Sequence, residues 1–136
     1  MLDKILCVDD DPITLMLCKK VIERISFAVE IVTAQNGEEA LDYFKKMKTE
    51  INNGNQIEFP KLTLLDLNMP VMNGWEFLEE YVKNGFQDVF NSTQFIILSS
   101  TIDPQDVNKS KTYPMVIDFL SKPITKQMLE NLKDRF

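Results

Sequence analysis

An apolar run that ends on a single acid opens the most informative segment of this sequence, Leu62-Thr63-Leu64-Leu65-Asp66-Leu67-Asn68-Met69-Pro70-Val71-Met72-Asn73-Gly74. The run predicts a buried strand that carries Asp66 at its carboxyl end. Pro70 and Gly74 predict a tight loop before the next helix. Ligands bind at the carboxyl ends of the strands in open α/β sheets, so Asp66 is a candidate site residue. Taken alone, an aspartate in this place is equally consistent with a helix cap or a solvated turn residue.

Strand and helix patterns alternate on both sides of this segment. Apolar runs predict five strands, at residues 4–8, 29–34, 62–65, 95–98 and 115–120. Such alternation requires right-handed crossovers and places helices on both faces of a parallel sheet. We therefore predict one α/β domain over residues 1–136, built on a doubly wound five-stranded parallel sheet and followed by no output domain.

Five helices are predicted between and after the strands: residues 12–25, a segment capped by Asn36, a segment from Trp75 to about Asn84, residues 103–110, and a segment capped by Thr125. The first of these helices is predicted because Ile13, Met16, Leu17, Val21 and Ile25 recur at helical spacing. The stripe predicted for the second helix is Ala40, Leu41, Phe44 and Met47. Residues 49–60 are polar, and we expect a long surface loop there.

Composition excludes several classes of function. The net charge of −6 opposes binding to phosphate backbones, so a nucleic-acid partner is not expected. No apolar run approaches the roughly 20 residues of a membrane span. The amino terminus lacks the layout of a signal peptide, so we expect a cytoplasmic protein with no membrane partner. Cys7 and Cys18 are expected to be free thiols, and the absence of histidine excludes a histidine base or a phosphohistidine on this chain.

The predicted topology brings the ends of four strands to one edge of the sheet. The first strand supplies Asp9 and Asp10, the third Asp66, the fourth Ser99 and the fifth Lys122. Carboxylates held close together raise one another's pKa unless a cation separates them. Mg²⁺ prefers oxygen ligands and keeps several waters, so a few carboxylates suffice. We therefore assign Asp10, Asp66 and the backbone carbonyl of Asn68 as Mg²⁺ ligands, with Asp9 bound mostly through water.

These residue types fit phosphoryl transfer. A carboxylate can attack phosphorus and form an aspartyl phosphate, which makes Asp66 the candidate nucleophile. The chemistry depends on positioning and on charge neutralisation. Lys122 supplies a second positive charge, and the Ser99 hydroxyl can donate to a phosphoryl oxygen. Each residue alone also has an ordinary explanation, as a solvated lysine or a serine bonded to backbone, but the five strand-end residues together favour a functional site.

The sequence resembles the receiver domain of two-component response regulators. The resemblance rests on Val8-Asp9-Asp10-Asp11-Pro12, on Leu65 to Gly74, on Ile97-Leu98-Ser99-Ser100, and on Phe119-Leu120-Ser121-Lys122-Pro123, all in family order. It implies the flavodoxin-like strand order 2-1-3-4-5 and a cis Lys122–Pro123 bond. It also implies that a sensor histidine kinase or a histidine phosphotransfer protein donates a phosphoryl group to Asp66 in a Mg²⁺-dependent step.

The resemblance further implies a conformational switch. Ser99 would move toward the phosphoryl group, and the ring of Phe119, which lacks the phenolic hydroxyl of many relatives, would turn inward. A downstream protein would then bind the face formed by the fourth helix, the fifth strand and the fifth helix. The expected protein is a signalling switch that catalyses only its own phosphorylation and dephosphorylation. Whether it stays a monomer or dimerises on phosphorylation is left open.

Three alternatives remain at this point. A phosphatase of the haloacid-dehalogenase type also uses an aspartate nucleophile and Mg²⁺, but Asn68 stands where that class needs a second acid. A flavodoxin-like cofactor binder would need a phosphate loop rich in glycine and threonine after the first strand, and none follows it. A binding module that signals without phosphate would keep the acids and Lys122 only as relics.

Overall fold

Five parallel strands form a single sheet at the centre of the computed structural model, which describes residues 1–136. The strands are β1 (Leu2–Val8), β2 (Ala28–Ala34), β3 (Leu62–Asp66), β4 (Gln94–Ser99) and β5 (Val116–Ser121). Their order across the sheet is β2-β1-β3-β4-β5, and every neighbouring pair is parallel. The predicted fold class and the strand order implied by the resemblance are both confirmed.

Six α-helices and a short 3₁₀ turn accompany the sheet. They are α1 (Pro12–Arg24), α2 (Gly37–Asn52), α3 (Gly74–Lys83), α4 (Phe86–Val89), α5 (Pro104–Ser110) and α6 (Lys126–Leu132), followed by the turn Lys133–Arg135. The single turn α4 has no counterpart in the sequence prediction, so the predicted fourth and fifth helices are α5 and α6. None of these helices has the length and apolar character needed to cross a membrane.

Side-chain caps fix where several helices begin. The Asp11 carboxylate accepts the N–H of Ile13 at 3.0 Å, as predicted for the start of α1. Asn73 caps α3 by accepting the N–H of Glu76, and the Glu76 side chain accepts the Asn73 N–H in return. Thr125 caps α6. These caps follow strand ends closely, so the first turns of the helices lie at the same edge of the sheet as the predicted site.

Two apolar layers cover the sheet. On one face, α2, α3 and α4 enclose an aromatic cluster, in which the ring of Phe44 lies 5.1 Å from that of Tyr81 and 5.2 Å from that of Phe90. The stripe predicted for α2 is fully buried in this layer. On the other face, α1 and α6 pack against the sheet. Cys7 and Cys18 lie in that second layer and are buried free thiols, as predicted.

The apolar residues whose spacing predicted α1 do not form its buried face, although the helix itself is present. Ile13, Met16 and Leu17 are exposed, and Val21 and Ile25 are only half-buried. The residues that face the sheet are Leu15, Cys18 and Ile22. Apolar residues occupy several sides of this helix, so more than one stripe fits helical spacing, and only packing against β1 selects between them. The exposed residues belong to the end of α1 that lies beside the predicted site.

The loop predicted at residues 49–60 begins too early. α2 continues to Asn52, and the connection to β3 is residues 53–61. The polar residues at the end of α2 line its solvent side, while Ile51 packs against the aromatic layer. Phe59, in the connection itself, makes an edge contact with the Phe90 ring at 5.3 Å. The connection therefore lies on the surface over residues 53–56, as predicted, and is tied to the core at its Phe59 end.

Tyr81 offers a test of the aromatic layer. Its side chain is fully buried and its hydroxyl has no hydrogen-bond partner, and burial raises its pKa. Because an orphaned buried hydroxyl is costly, we expect Tyr81→Phe to raise the free energy of unfolding by about 1 kcal/mol in a urea titration. Tyr113→Phe is the control, since that half-buried side chain is not an orphan. A loss of stability in Tyr81→Phe would mean that the hydroxyl makes a favourable bond.

Candidate functional site

Three strand ends bring two acids and a lysine into contact. Asp9 follows β1, Asp66 ends β3 and Lys122 follows β5. The Lys122 Nζ lies 2.6 Å from Asp9 Oδ2 and 3.1 Å from Asp66 Oδ1. Both carboxylates are only 5% exposed, so the two ion pairs are largely shielded from solvent. The structure thus joins three of the predicted site residues through one shared ammonium group.

Asp10 completes an acidic cluster at this edge. One ligand oxygen from each of Asp9, Asp10 and Asp66 lies within 4.8 Å of the other two. Asp10 is exposed while the other two are buried, so the cluster is reached from solvent on the Asp10 side. The donors are all carboxylate oxygens, which suit Mg²⁺ better than softer metals. The residues therefore fit the predicted ion, and the backbone carbonyl of Asn68, in the loop after β3, stays a predicted ligand.

The charges of the cluster perturb its titration. Burial raises the pKa of Asp66, and repulsion from Asp9 raises it further, against the opposing effect of Lys122. Burial lowers the pKa of Lys122, but its bonds to Asp9 and Asp66 outweigh burial and leave the pKa above its ordinary value. Lys122 is therefore charged at neutral pH. With Lys122 in place, burial and the charge of Asp9 still leave the pKa of Asp66 raised, and a cation beside the acids would favour its ionised form.

Ser99 and Phe119 lie on the two strands beyond β3. Ser99 ends β4 and is 2% exposed, and its Oγ accepts the N–H of Thr101 at 3.3 Å. Its own hydroxyl hydrogen remains available to donate. The Ser99 carbonyl accepts the Lys122 N–H at 2.8 Å, which ties the end of β5 to that of β4. Phe119 is half-buried on the edge strand β5, and the Lys122–Pro123 bond is cis, as the resemblance implied.

Gly74 allows the loop after Asp66 to fold back against its own strand. The Gly74 N–H donates to the Leu67 carbonyl at 2.9 Å. A methyl carbon on Gly74 would lie 2.5 Å from the carbonyl oxygen of Asp66, so no side chain fits there. Gly74 therefore determines the path of the loop that carries Asn68.

Sequence reasoning missed an apolar rim around the site. Exposed apolar side chains are found on α1, in the loop after β3 and in the loop after β4: Ile13, Met16, Leu17, Val71 and Ile102. Five of the eight large exposed hydrophobic residues of the chain belong to these segments at the carboxyl edge. The only signal in the sequence was that the apolar residues of α1 exceed what one buried face requires.

The arrangement places the candidate nucleophile Asp66 beside a positive charge. Asp66 presents a carboxylate at the open edge of the sheet, the Lys122 ammonium lies beside it, and the Ser99 hydroxyl lies at the end of the next strand. A group that carries several negative oxygens could meet the Lys122 ammonium and the Ser99 hydroxyl near the Asp66 carboxylate, and a cation held by the acids would add further positive charge. Such a site is suited to phosphoryl chemistry at Asp66.

Comparisons with known proteins agree with this geometry. Residues 5–133 match the family model of the response regulator receiver domain. A solved structure of a two-component response regulator from Cytophaga hutchinsonii superposes with a TM-score of 0.86 at 30% identity, over 98% of this chain and 96% of that one. A two-component response regulator from Legionella pneumophila has a TM-score of 0.77 at 27% identity, with both chains covered completely.

A curated relative is the probable methanogenesis regulatory protein FilR2 of Methanothrix harundinacea, which is 25% identical over 96% of this chain and 81% of its own length. The probable C4-dicarboxylate response regulator DctR of Priestia megaterium is 24% identical over 97% of this chain, which spans half of its length. The family match runs from the first strand through the last helix and includes every strand end described above. The chain therefore belongs to the response regulator receiver domain family.

Proposed function

We propose that this protein accepts a phosphoryl group on Asp66 from a phosphohistidine of a sensor kinase or a histidine phosphotransfer protein. The observation that carries the proposal is the shared ion pair of Lys122 with Asp9 and Asp66 at the carboxyl edge of the sheet. A buried acid with a raised pKa, next to two more acids and one lysine, contributes little to the stability of the fold. It has value as a place where a second cation and a phosphoryl group bind together.

The transfer is a displacement at phosphorus. One carboxylate oxygen of Asp66 attacks the phosphorus atom, the bond from phosphorus to the imidazole nitrogen breaks, and the electron pair stays on that nitrogen. Lys122 neutralises charge on the phosphoryl oxygens, and the Ser99 hydroxyl donates to one of them. Asp10, Asp66 and the Asn68 carbonyl would hold a Mg²⁺ ion, with Asp9 acting mostly through water. When bound, that ion supplies positive charge to the same oxygens.

The donor in this proposal is a protein. This chain has no histidine, so the phosphohistidine must be carried by a partner. The exposed apolar side chains of the rim, Ile13, Met16, Leu17, Val71 and Ile102, belong to segments at the same edge of the sheet as the acids and offer a partner apolar area to bury. A small phosphodonor would not need such a surface. The buried free thiols Cys7 and Cys18 favour a reducing compartment, the cytoplasm, as the place of the reaction.

The proposed output is a change in the surface formed by α5, β5 and α6. Ser110 is the only buried residue of α5, and β5 contains no fully buried residue. Elements with so few buried contacts have low local stability and can be repositioned at small cost. Ser99 moving toward a phosphoryl group and Phe119 turning inward would alter this surface and let a downstream protein bind, or a second copy of the chain.

The proposed protein is a switch, with one phosphoryl group per chain and no separate substrate. Asn68 supports this over a phosphatase, because an amide cannot serve as a general acid or base for turnover. Steady hydrolysis of a phosphomonoester over many turnovers would contradict the proposal.

Replacement of the acceptor tests the proposal directly. We expect Asp66→Asn to abolish labelling by acetyl phosphate and Mg²⁺, measured as the gain of one phosphoryl mass by intact-protein mass spectrometry. Asp103→Asn is the matched control, because Asp103 caps α5 at the same edge of the sheet and asparagine caps equally well. The control is expected to label fully when Mg²⁺ is present and not when it is chelated. Full labelling of Asp66→Asn would refute Asp66 as the acceptor.

The raised pKa of Asp66 predicts a pH-dependent stability. Without metal, the folded chain holds the Asp66 proton to a higher pH than the unfolded chain does, so ionisation of this group destabilises the fold as pH rises. We expect Asp66→Asn in chelator to have a higher free energy of unfolding than the native protein at pH 7. This advantage should shrink on acidification and vanish below the ordinary pKa of an aspartate. A constant difference at every pH would mean that Asp66 is not strained by burial and Asp9.

A further inference from the structure

The connection between β3 and α3 contains a strained turn. Val71 has φ of 68°, although it is β-branched, and its side chain is 74% exposed. The Met72 N–H donates to the Pro70 carbonyl at 2.7 Å, so Val71 is the centre of a three-residue turn. Such turns with positive φ are rare and strained, and they persist where the surroundings hold them in place.

Two glycines hold this turn in place. Gly74 closes the base of the connection through its bond to Leu67. Gly37, the first residue of α2, donates its N–H to the Met72 carbonyl at 2.9 Å. A methyl carbon on Gly37 would lie 2.7 Å from that oxygen and 2.8 Å from the Met72 Cγ. These separations are closer than packing permits, so Gly37 is required for close approach of the two backbones.

We infer that Gly37 is a positioning residue for the phosphoacceptor site, an inference that rests on the proposed function. The hydrogen bond from Gly37 fixes the Met72 carbonyl, and the bond from Gly74 to Leu67 closes the two ends of the loop. The ring of Pro70 restricts the backbone between these two bonds. Asn68 lies within this closed segment, directly after the strand that ends on Asp66. A displaced Met72 would therefore move the backbone at Asn68, whose carbonyl is the proposed third ligand of the cation.

Gly37 does not contact the candidate site residues directly and can affect the site only through the backbone of Met72. It has no side chain, it is buried at the start of α2, and it belongs to neither the acidic cluster nor the ion pairs of Lys122. Its influence on the site passes through the backbone of Met72. Groups that support metal ligands in this indirect way change metal affinity by about ten- to hundredfold when they are altered.

Gly37→Ala tests the inference. We expect the variant to bind Mg²⁺ about tenfold or more weakly than the native protein in a calorimetric titration with Mg²⁺ alone. Labelling by acetyl phosphate should need correspondingly more Mg²⁺ for half-maximal rate. Gly85→Ala is the matched control, because Gly85 has φ of 72° in open space at the far end of α3, so alanine there strains the fold away from the site. Gly85→Ala is expected to lose stability and keep its Mg²⁺ affinity.

A second substitution tests the route through Met72. Val71→Gly removes the strain of the turn and allows the Met72 carbonyl to move away from the methyl group added at Gly37. We therefore expect Gly37→Ala combined with Val71→Gly to regain most of the lost Mg²⁺ affinity. Native Mg²⁺ affinity in Gly37→Ala, or no recovery in the double variant, would overturn the inference. So would an equal loss of affinity in Gly85→Ala.

Hydrogen exchange of the native protein keeps the inference testable if Gly37→Ala does not fold. The amides of Gly37 and Gly74 should be protected, and Mg²⁺ should slow their exchange further. Exchange of both at the rate of an open loop would overturn the inference. The proposed function fails separately: a native protein that neither binds Mg²⁺ nor takes a phosphoryl group refutes it. If the native protein binds Mg²⁺ and takes a phosphoryl group, and Gly37→Ala binds Mg²⁺ equally well, only the role of Gly37 is refuted.

Discussion

The shared ion pair of Lys122 is the interaction on which the site depends. The parallel register pairs Val8 with Leu65, so the next residues, Asp9 and Asp66, are forced to lie side by side at the sheet edge. The fold cannot separate the two carboxylates without losing that register. Lys122 offsets part of their repulsion by reaching across from β5, and its own backbone is tied to the Ser99 carbonyl. The proposed binding of a cation and a phosphoryl group would thus be a consequence of how the sheet is paired.

Much of the fold and of the acidic cluster could be predicted because both follow from local patterns. Apolar runs that end on acids identify buried strands, and a parallel α/β sheet brings the ends of those strands to one edge. Asp9, Asp10, Asp66 and Lys122 were each predictable in this way. The exposed face of α1 could not be predicted in this way. Apolar residues occupy several sides of the helix, so only its packing against the sheet determines which side is buried.

Backbone contacts between residues that are distant in sequence could not be predicted from the sequence pattern either. Gly37 matters through its distance to Met72, and nothing in the spacing of the two residues indicates that α2 touches the loop after β3. The positive φ of Val71 is a similar case, since a valine predicts extended backbone. Local rules do not reveal these two residues, and the strained backbone of Val71 lies in the loop that follows Asp66.

The two sides of the site differ in how well they are packed, and for the proposed switch this difference indicates where a change at Asp66 would be transmitted. On the α2 and α3 side, Gly37 and Gly74 fix the loop to a layer of fully buried aromatic rings. On the other side, the half-buried β5 and the weakly packed α5 are joined to α3 by the stack of Trp75 on Tyr113, whose rings lie 6.1 Å apart. New contacts made by a phosphoryl group would meet least resistance there. The proposed output surface therefore lies on the side of the site that packing leaves free to move.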